Sequence, residues 1–242
     1  MNPLSGIVLV GGLGTRSRSV FLSGPKSMAL VGNRPFLEYL LAELRDDGIT
    51  DVVLCVGYRR SQVQQHFHKG TKWGMTLRYS VEEEILGTAG AVKKAGRMID
   101  AEDVFVFSGD SLVGLDVQDM WDFHRERKAL ATMALVSSPR ANRYRRILTN
   151  ENGEVTAVRE KFRGERGEDS GKGLVNAGTY LLSRQFIDMI PDGLPVSIEM
   201  EMFPQIAGSG LYGFVTAGYF ININVPDDLA RAQHELPMRQ RA

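Results

Sequence analysis

The chain has 242 residues, 43% of them hydrophobic and 24% charged, and its 29 basic and 29 acidic side chains leave a formal net charge of zero. That length can bury a sizeable core and fits a single α/β domain, while the charge balance excludes a broad basic surface for nucleic acid. A phosphate-bearing small ligand is not excluded, because it needs only a few N–H groups and one or two cations. One cysteine, Cys55, allows no intrachain disulfide. The N-terminus lacks a basic-then-apolar leader and no apolar run spans a bilayer, so the sequence reads as cytoplasmic, with no membrane partner.

In chain order, Gly6–Val10 reads as a short strand ending in glycines, and Pro35–Leu44 as a helix with Phe36, Leu37, Leu40, Leu41 and Leu44 at helical spacing. Asp51–Val56 is a continuous β-branched run, as in a strand buried on both faces. Ser61–Phe67 follows as a helix with Ser61 as its cap, then strand Thr76–Val81, helix Ala89–Ile99, strand Asp103–Ser108, helix Asp116–Arg127 and strand Ala131–Val136. This alternation predicts a Rossmann-like α/β fold: a mixed, mostly parallel sheet with helices on both faces and ligands beyond the strands' carboxyl ends. After Ser137 the rhythm changes. Arg146–Thr149 and Val155–Arg159 flank the turn Asn150–Gly153. Gly164–Gly173 reads as a loop, Leu174–Leu182 as a strand and Pro226–Glu235 as a closing helix before a frayed tail, Met238–Ala242. We expect one domain in two portions, residues 1–136 and a smaller α+β portion over 137–242.

Gly11-Gly12-Leu13-Gly14-Thr15-Arg16 follows the first strand, with Pro25-Lys26 further on. Glycines allow close backbone approach, successive N–H groups can cradle phosphate oxygens, and Arg16 and Lys26 add positive charge. A dinucleotide fingerprint fails, because no third glycine falls in register and Gly24-Pro25 interrupts any helix. Asp110 follows a strand's carboxyl end and suits Mg²⁺. Gly87-Thr88 precedes a helix whose N-terminus could meet a base edge or ribose.

The stretch GGLGTRSRSVFLSGPKSMALVGNRPFLEYLL resembles the opening signature of the sugar-1-phosphate nucleotidyltransferases. The likeness continues through VGY at Val56–Tyr58, EEEILGTAGAVKKA at Glu82–Ala95, Gly109-Asp110, Glu160-Lys161, NAG at Asn176–Gly178 and FININVPDD at Phe220–Asp228. Within the family, GTRSRSV, NRPFLEYLL, YSVEEEILGTAGA and KGLVNAGTYLL resemble the D-glycero-α-D-manno-heptose 1-phosphate guanylyltransferases. Mannose-1-phosphate guanylyltransferases and glucose-1-phosphate uridylyl- or thymidylyltransferases are near alternatives. The resemblance implies a nucleoside triphosphate and a sugar 1-phosphate as partners, Mg²⁺ as cofactor, and direct attack by the sugar phosphate on the α-phosphorus; it leaves a homo-oligomer open. It assigns Arg16, Lys26 and Asp110 to catalysis, and Gly11, Gly12, Gly14, Thr15, Arg16, Gly57, Gly87, Thr88 and Gly109 to the nucleotide. Glu160, Lys161, Asn176 and Gly178 fall to the sugar phosphate, and Asp110 with Asn222 to the metal, which makes residues 1–136 the nucleotide-binding portion and 137–242 the sugar-phosphate-binding portion.

The sequence departs from the family pattern at Ser17 (usually Leu), Ser27 (usually Pro), Asn222 (usually the second metal Asp), Asn224 (usually Gly) and Arg145 (usually a Gly near the sugar). Ser17, Ser27 and Asn222 suit a rival reading, a sugar-nucleotide-binding regulatory protein with weakened catalysis. Retention of Arg16, Lys26, Asp110, Glu160 and Lys161 favours the enzyme. A metal-dependent glycosyltransferase would place D-x-D where the chain has Gly109-Asp110-Ser111-Leu112. The histidines His66, His68, His124 and His234 form no metal or triad pattern, and Ile198–Met202 reads as a short helix carrying core methionines.

Overall fold

The computed structural model describes residues 4–11, 24–138, 146–159, 173–224 and 226–239. In chain order the elements are β1 (Ser5–Leu9), β2 (Leu30–Val31), β3 (Arg34–Pro35), α1 (Phe36–Asp46), β4 (Asp51–Val56), α2 (Arg60–Phe67), β5 (Thr76–Val81) and α3 (Gly87–Gly96). Then come β6 (Asp103–Ser108), β7 (Ser111–Val113), α4 (Val117–Glu126), β8 (Ala131–Ser138), β9 (Arg146–Thr149), β10 (Val155–Arg159) and β11 (Gly173–Ser183). The chain ends with α5 (Arg184–Met189), a π-helical turn at Ile198–Met202, α6 (Phe203–Ile206), β12 (Leu211–Thr216), β13 (Phe220–Asn222) and α7 (Pro226–Arg239).

β6, β1, β4 and β5 lie side by side and parallel, which is what the strand–helix alternation demands. β11 then pairs antiparallel with β6, and through β11 the strands β8, β9, β10 and β12 join the same sheet. The second half therefore extends the first sheet instead of forming a layer of its own. Side chains alternate between two cores. Ile7, Val53, Cys55, Val104 and Val106 face the core that α3, α5 and α6 complete. Val8, Val52, Leu54, Phe105 and Phe107 face the core under α1, α2 and α4. A third cluster, Val31, Phe36, Leu112, Ile221, Ile223 and Leu236, glues β7, β13 and α7 to α1.

Several boundaries differ from the sequence reading. Ser61 does not cap α2: the helix starts at Arg60, behind Arg59 in the left-handed region at φ 52°. Gly87 and Thr88 lie inside α3, which stops at Gly96. Met238 and Arg239 are still helical, with Pro237 inside α7. The predicted hairpin is present: Asn150 Oδ1 accepts the N–H groups of Asn152 and Glu154, both at 3.0 Å, and Gly153 takes φ 79°. His124 is a core residue, its Nδ1 2.8 Å from Thr132 Oγ1. The loop expected at Gly164–Gly173 lies outside the described residues apart from Gly173, the first residue of β11.

Asp47 closes α1, at the negative end of the helix dipole. Burial, aided by Glu43, Asp46 and Asp116, pushes its carboxyl up from 3.8 to about 7. A raised carboxyl value means that the fold favours the protonated form. The resulting stability is fully present below 3.8 and is lost as the pH rises from there through about 7. Asp47→Asn is expected to leave the melting temperature nearly unchanged at about pH 3.5, to raise it above wild type at about pH 5.5 and to raise it further at about pH 8, read by circular dichroism.

Candidate active site

Three glycines sit at three neighbouring strand ends. Gly11 follows β1, Gly57 follows β4 and Gly109 follows β6. Val10 donates to Cys55 O at 3.0 Å and Gly109 to Leu9 O at 3.0 Å, so the strand ends are tied together. A Cβ on Gly109 would stand 2.7 Å from Leu9 O; one on Gly11 would stand 2.8 Å from Glu82 Oε1 and 3.3 Å from Gly57 N. A side chain is thus excluded at Gly109 and crowded at Gly11, while Gly57 meets only ordinary contacts; the three glycines leave a floor of main chain. Gly12, Gly14, Thr15 and Arg16 lie outside the described residues, as do Ser17, Arg145, Glu160 and Lys161.

Lys26 and Asp110, 84 positions apart, meet beside this floor. Lys26 Nζ lies 3.3 Å from Asp110 Oδ2, with the lysine side chain 13% exposed and the carboxylate 29%. Lys26 Nζ also donates to Asn224 Oδ1. The β7–β13 ladder sets this meeting, pairing Ser111 with Asn222, and Ile223 N donates to Asp110 O at 2.9 Å. Asn222 thereby lies next to Asp110, but its Oδ1 accepts the Asn224 N–H at 2.7 Å. Asn224, read from sequence only as a departure, is a direct partner of Lys26. Ser27, where the family usually has proline, is buried beside Gly109, and its hydroxyl has no hydrogen-bond partner among the described residues.

The Asn176–Gly178 motif forms a bulge in β11. Its pairing with β8 slips between Asn176 and Tyr180. Asn176 Oδ1 accepts the Gly178 N–H at 2.8 Å, and Gly178 takes φ 79°. A Cβ there would collide with Ser111 Oγ and stand 3.1 Å from Ser108 Cβ. The bulge therefore packs directly against the residue after Asp110. At Gly87-Thr88 the helix N-terminus is closed by protein: Ala89 N donates to Val196 O at 2.9 Å, and Thr88 Oγ1 accepts Ile198 N at 2.8 Å. A Cβ on Gly87 would run into the Val196 backbone.

Two acidic residues join the site without having been singled out by sequence. Glu82, at the end of β5, lies against Gly11; its Oε2 is 3.4 Å from Leu86 N, and burial raises its carboxyl above the ordinary glutamate value. Glu199 belongs to the π-helical turn where only core filler was expected; Ile198 and Met202 are buried, as that reading required.

Residues 5–203 match the family model described as "Nucleotidyl transferase". The chain belongs to that family. It is 36% identical to the D-glycero-alpha-D-manno-heptose 1-phosphate guanylyltransferase of Aneurinibacillus thermoaerophilus, over 96% of this chain and 98% of the relative. It is 37% identical to the mannose-1-phosphate guanylyltransferase of Mycobacterium tuberculosis over 95% of this chain, but spans only 64% of that protein's length. The crystal structure of HddC from Yersinia pseudotuberculosis complexed with GMP-PN matches with a TM-score of 0.84 and 29% identity, covering 96% of this chain and 99% of the other.

Gly178→Ala is expected to cost about 1–3 kcal/mol for the positive φ alone. Gly193, at φ 68° with nothing within 4 Å of an added Cβ, isolates that strain. Urea unfolding should therefore show Gly178→Ala to be the more destabilised of the two, because only it must also displace Ser111. Equal losses would deny the tight packing of the bulge on β7.

Proposed function

We propose that the protein joins GTP and a sugar 1-phosphate, with D-glycero-α-D-manno-heptose 1-phosphate as the preferred sugar, to give a GDP-sugar and pyrophosphate. The observation that carries this reading is the meeting of Lys26, Asp110 and the Asn176–Gly178 bulge at the glycine-floored strand ends. Near-full-length similarity to a heptose 1-phosphate guanylyltransferase supports the choice of sugar and base. A mannose 1-phosphate is the next candidate.

Two anions must be brought together, and the sugar phosphate is already an oxyanion at neutral pH, so orientation and charge neutralisation outweigh acid–base catalysis. In this reading Arg16 and the backbone of Gly11, Gly12, Gly14 and Thr15 hold the β- and γ-phosphates. Lys26 turns from Asp110 and Asn224 toward the α-phosphate, where negative charge grows as the sugar-phosphate oxygen attacks and pyrophosphate leaves. Glu160, Lys161 and the Asn176–Gly178 bulge orient the sugar phosphate.

The donor set suits a Mg²⁺ that arrives with the nucleotide: one carboxylate, Asp110, and one amide oxygen, Asn222, with phosphates completing the shell. Among the described residues no group of three His, Cys, Asp or Glu could hold an ion unaided. Bound there, Mg²⁺ would neutralise the two facing phosphates. The carboxylate of Glu82 can accept the paired N1–H and N2–H donors of guanine, a pair that adenine, uracil and thymine lack.

A pyrophosphate-release screen tests the proposal: four nucleoside triphosphates against manno-configured heptose, mannose and glucose 1-phosphates, with and without Mg²⁺. Release with GTP and the heptose phosphate, dependent on Mg²⁺, is expected. Glu82→Gln should lower the preference for GTP over UTP by about tenfold or more, since a bidentate base contact contributes about 1–3 kcal/mol. Silence across the panel from folded protein would overturn the enzyme in favour of a sugar-nucleotide-binding protein.

A further inference from the structure

Glu199 is the centre of a hydrogen-bond chain that crosses the molecule beneath the site. Its Oε2 accepts from Thr88 Oγ1 and from Ser197 Oγ, each at 3.1 Å, and its Oε1 accepts from the Tyr180 hydroxyl at 3.0 Å. Each of those hydroxyls also receives an N–H: Ile198 N on Thr88, Met200 N on Ser197 and Asn176 Nδ2 on Tyr180. With its acceptor side taken, each hydroxyl points its own proton at the carboxylate, the acceptor-only group in the set. The chain then runs from Tyr180 through Asn176 to the Gly178 N–H.

The two ends are functionally distinct. One is the N-terminus of α3 at Thr88, closed by protein itself but joined through the Leu86 N–H, at 3.4 Å, to Glu82, the carboxylate proposed to read the base. The other is the bulge that packs on Ser111, next to Asp110. Between them stands Tyr180, fully buried, its hydroxyl held well above the ordinary phenol value by burial, then by Glu199, with Asp110 contributing as well. The hydroxyl therefore keeps its proton and its direction. Glu199 reaches it because the chain winds as a π-helical turn there, with Met202 N and Phe203 N bonding five residues back, to Ser197 O and Ile198 O. Such turns are rare and recur at functional sites.

We infer that Glu199 is a positioning residue: through Tyr180 it locks the Asn176–Gly178 bulge to the N-terminus of α3, so that nucleotide and sugar phosphate bind as coupled ligands. The inference rests on the nucleotidyl-transfer reading. Neither Glu199 nor Tyr180 need touch a substrate. A hydrogen-bonded network with every member satisfied acts as one rigid element, and a ligand that orders one end lowers the ordering cost at the other.

The test is calorimetric, on the whole protein. Manno-configured heptose 1-phosphate and mannose 1-phosphate are titrated with and without a GTP analogue carrying a methylene between the α- and β-phosphorus, in the presence of Mg²⁺. Wild type is expected to bind one of these sugar phosphates about fivefold or more tightly when the analogue is present. Glu199→Gln offers an amide N–H₂ to a hydroxyl proton and breaks the chain without changing shape; Tyr180→Phe breaks it while leaving Thr88–Glu199 intact. Both should bring the coupling factor close to one. Tyr180→Phe should keep the affinity for the analogue alone, and it decides the matter if Glu199→Gln does not fold. Coupling kept in the variants, coupling absent in wild type, or sugar-phosphate affinity lost equally with and without the analogue would overturn the inference. Wild-type protein that binds neither ligand would overturn the transferase reading itself, and the inference with it.

Discussion

The contact between Lys26 and Asp110 is the constraint around which the site is arranged. The two residues come from separate segments of the chain: Lys26 from the turn before β2, Asp110 from just after β6. Each is partly removed from water, so bringing the two opposite charges together offsets part of the cost of burying them. The surrounding structure serves this meeting. β13 folds back on β7 and brings Asn222 and Asn224 alongside, α7 clamps that ladder against α1, and the Gly178 bulge fills the space behind Ser111. In the proposed transfer reaction the same two groups would be needed apart, Asp110 toward the cation and Lys26 toward the phosphate. In that proposal their pairing holds the two charges together until a ligand offers better partners.

Much of the fold was legible because it obeys local rules. Asp51–Val56 and Asp103–Ser108 read as buried strands because every side chain is apolar or capped at the ends, and they are the neighbours of β1 in the parallel sheet. The helix over Pro35–Leu44 was visible from its leucine spacing. What sequence did not reveal was the continuation of the sheet through β11, since antiparallel pairing of β11 with β6 joins residues more than 70 positions apart and leaves no mark on local periodicity.

The site divides in the same way. Asp110 and the first glycine run stand out in the sequence by their positions at strand ends. Asn176–Gly178 and Asn222 stand out only through family likeness, because a short Asn-Ala-Gly or Phe-Ile-Asn segment has many structural uses. Asn224, Glu82 and Glu199 enter the proposals only through the fold. Glu82 sits in a run of three glutamates, and only the fold distinguishes the one that turns toward Gly11. Glu199 alternates with methionines in a pattern that suggests core packing, and a π-helical turn is not encoded in any simple period. Ser61 was misread for a related reason: a good capping residue does not cap when Arg59, two positions earlier, already makes the turn.

The central claim is that Lys26 and Asp110 act as one unit. A kinetic double-mutant cycle tests it most directly, comparing kcat/KM for Lys26→Met, Asp110→Asn and the double variant with wild type. Groups that act together lose their effect together, so the double variant is predicted to fall no further than the worse single one. Losses that multiply, each substitution costing the same whether or not the other is present, would contradict the account.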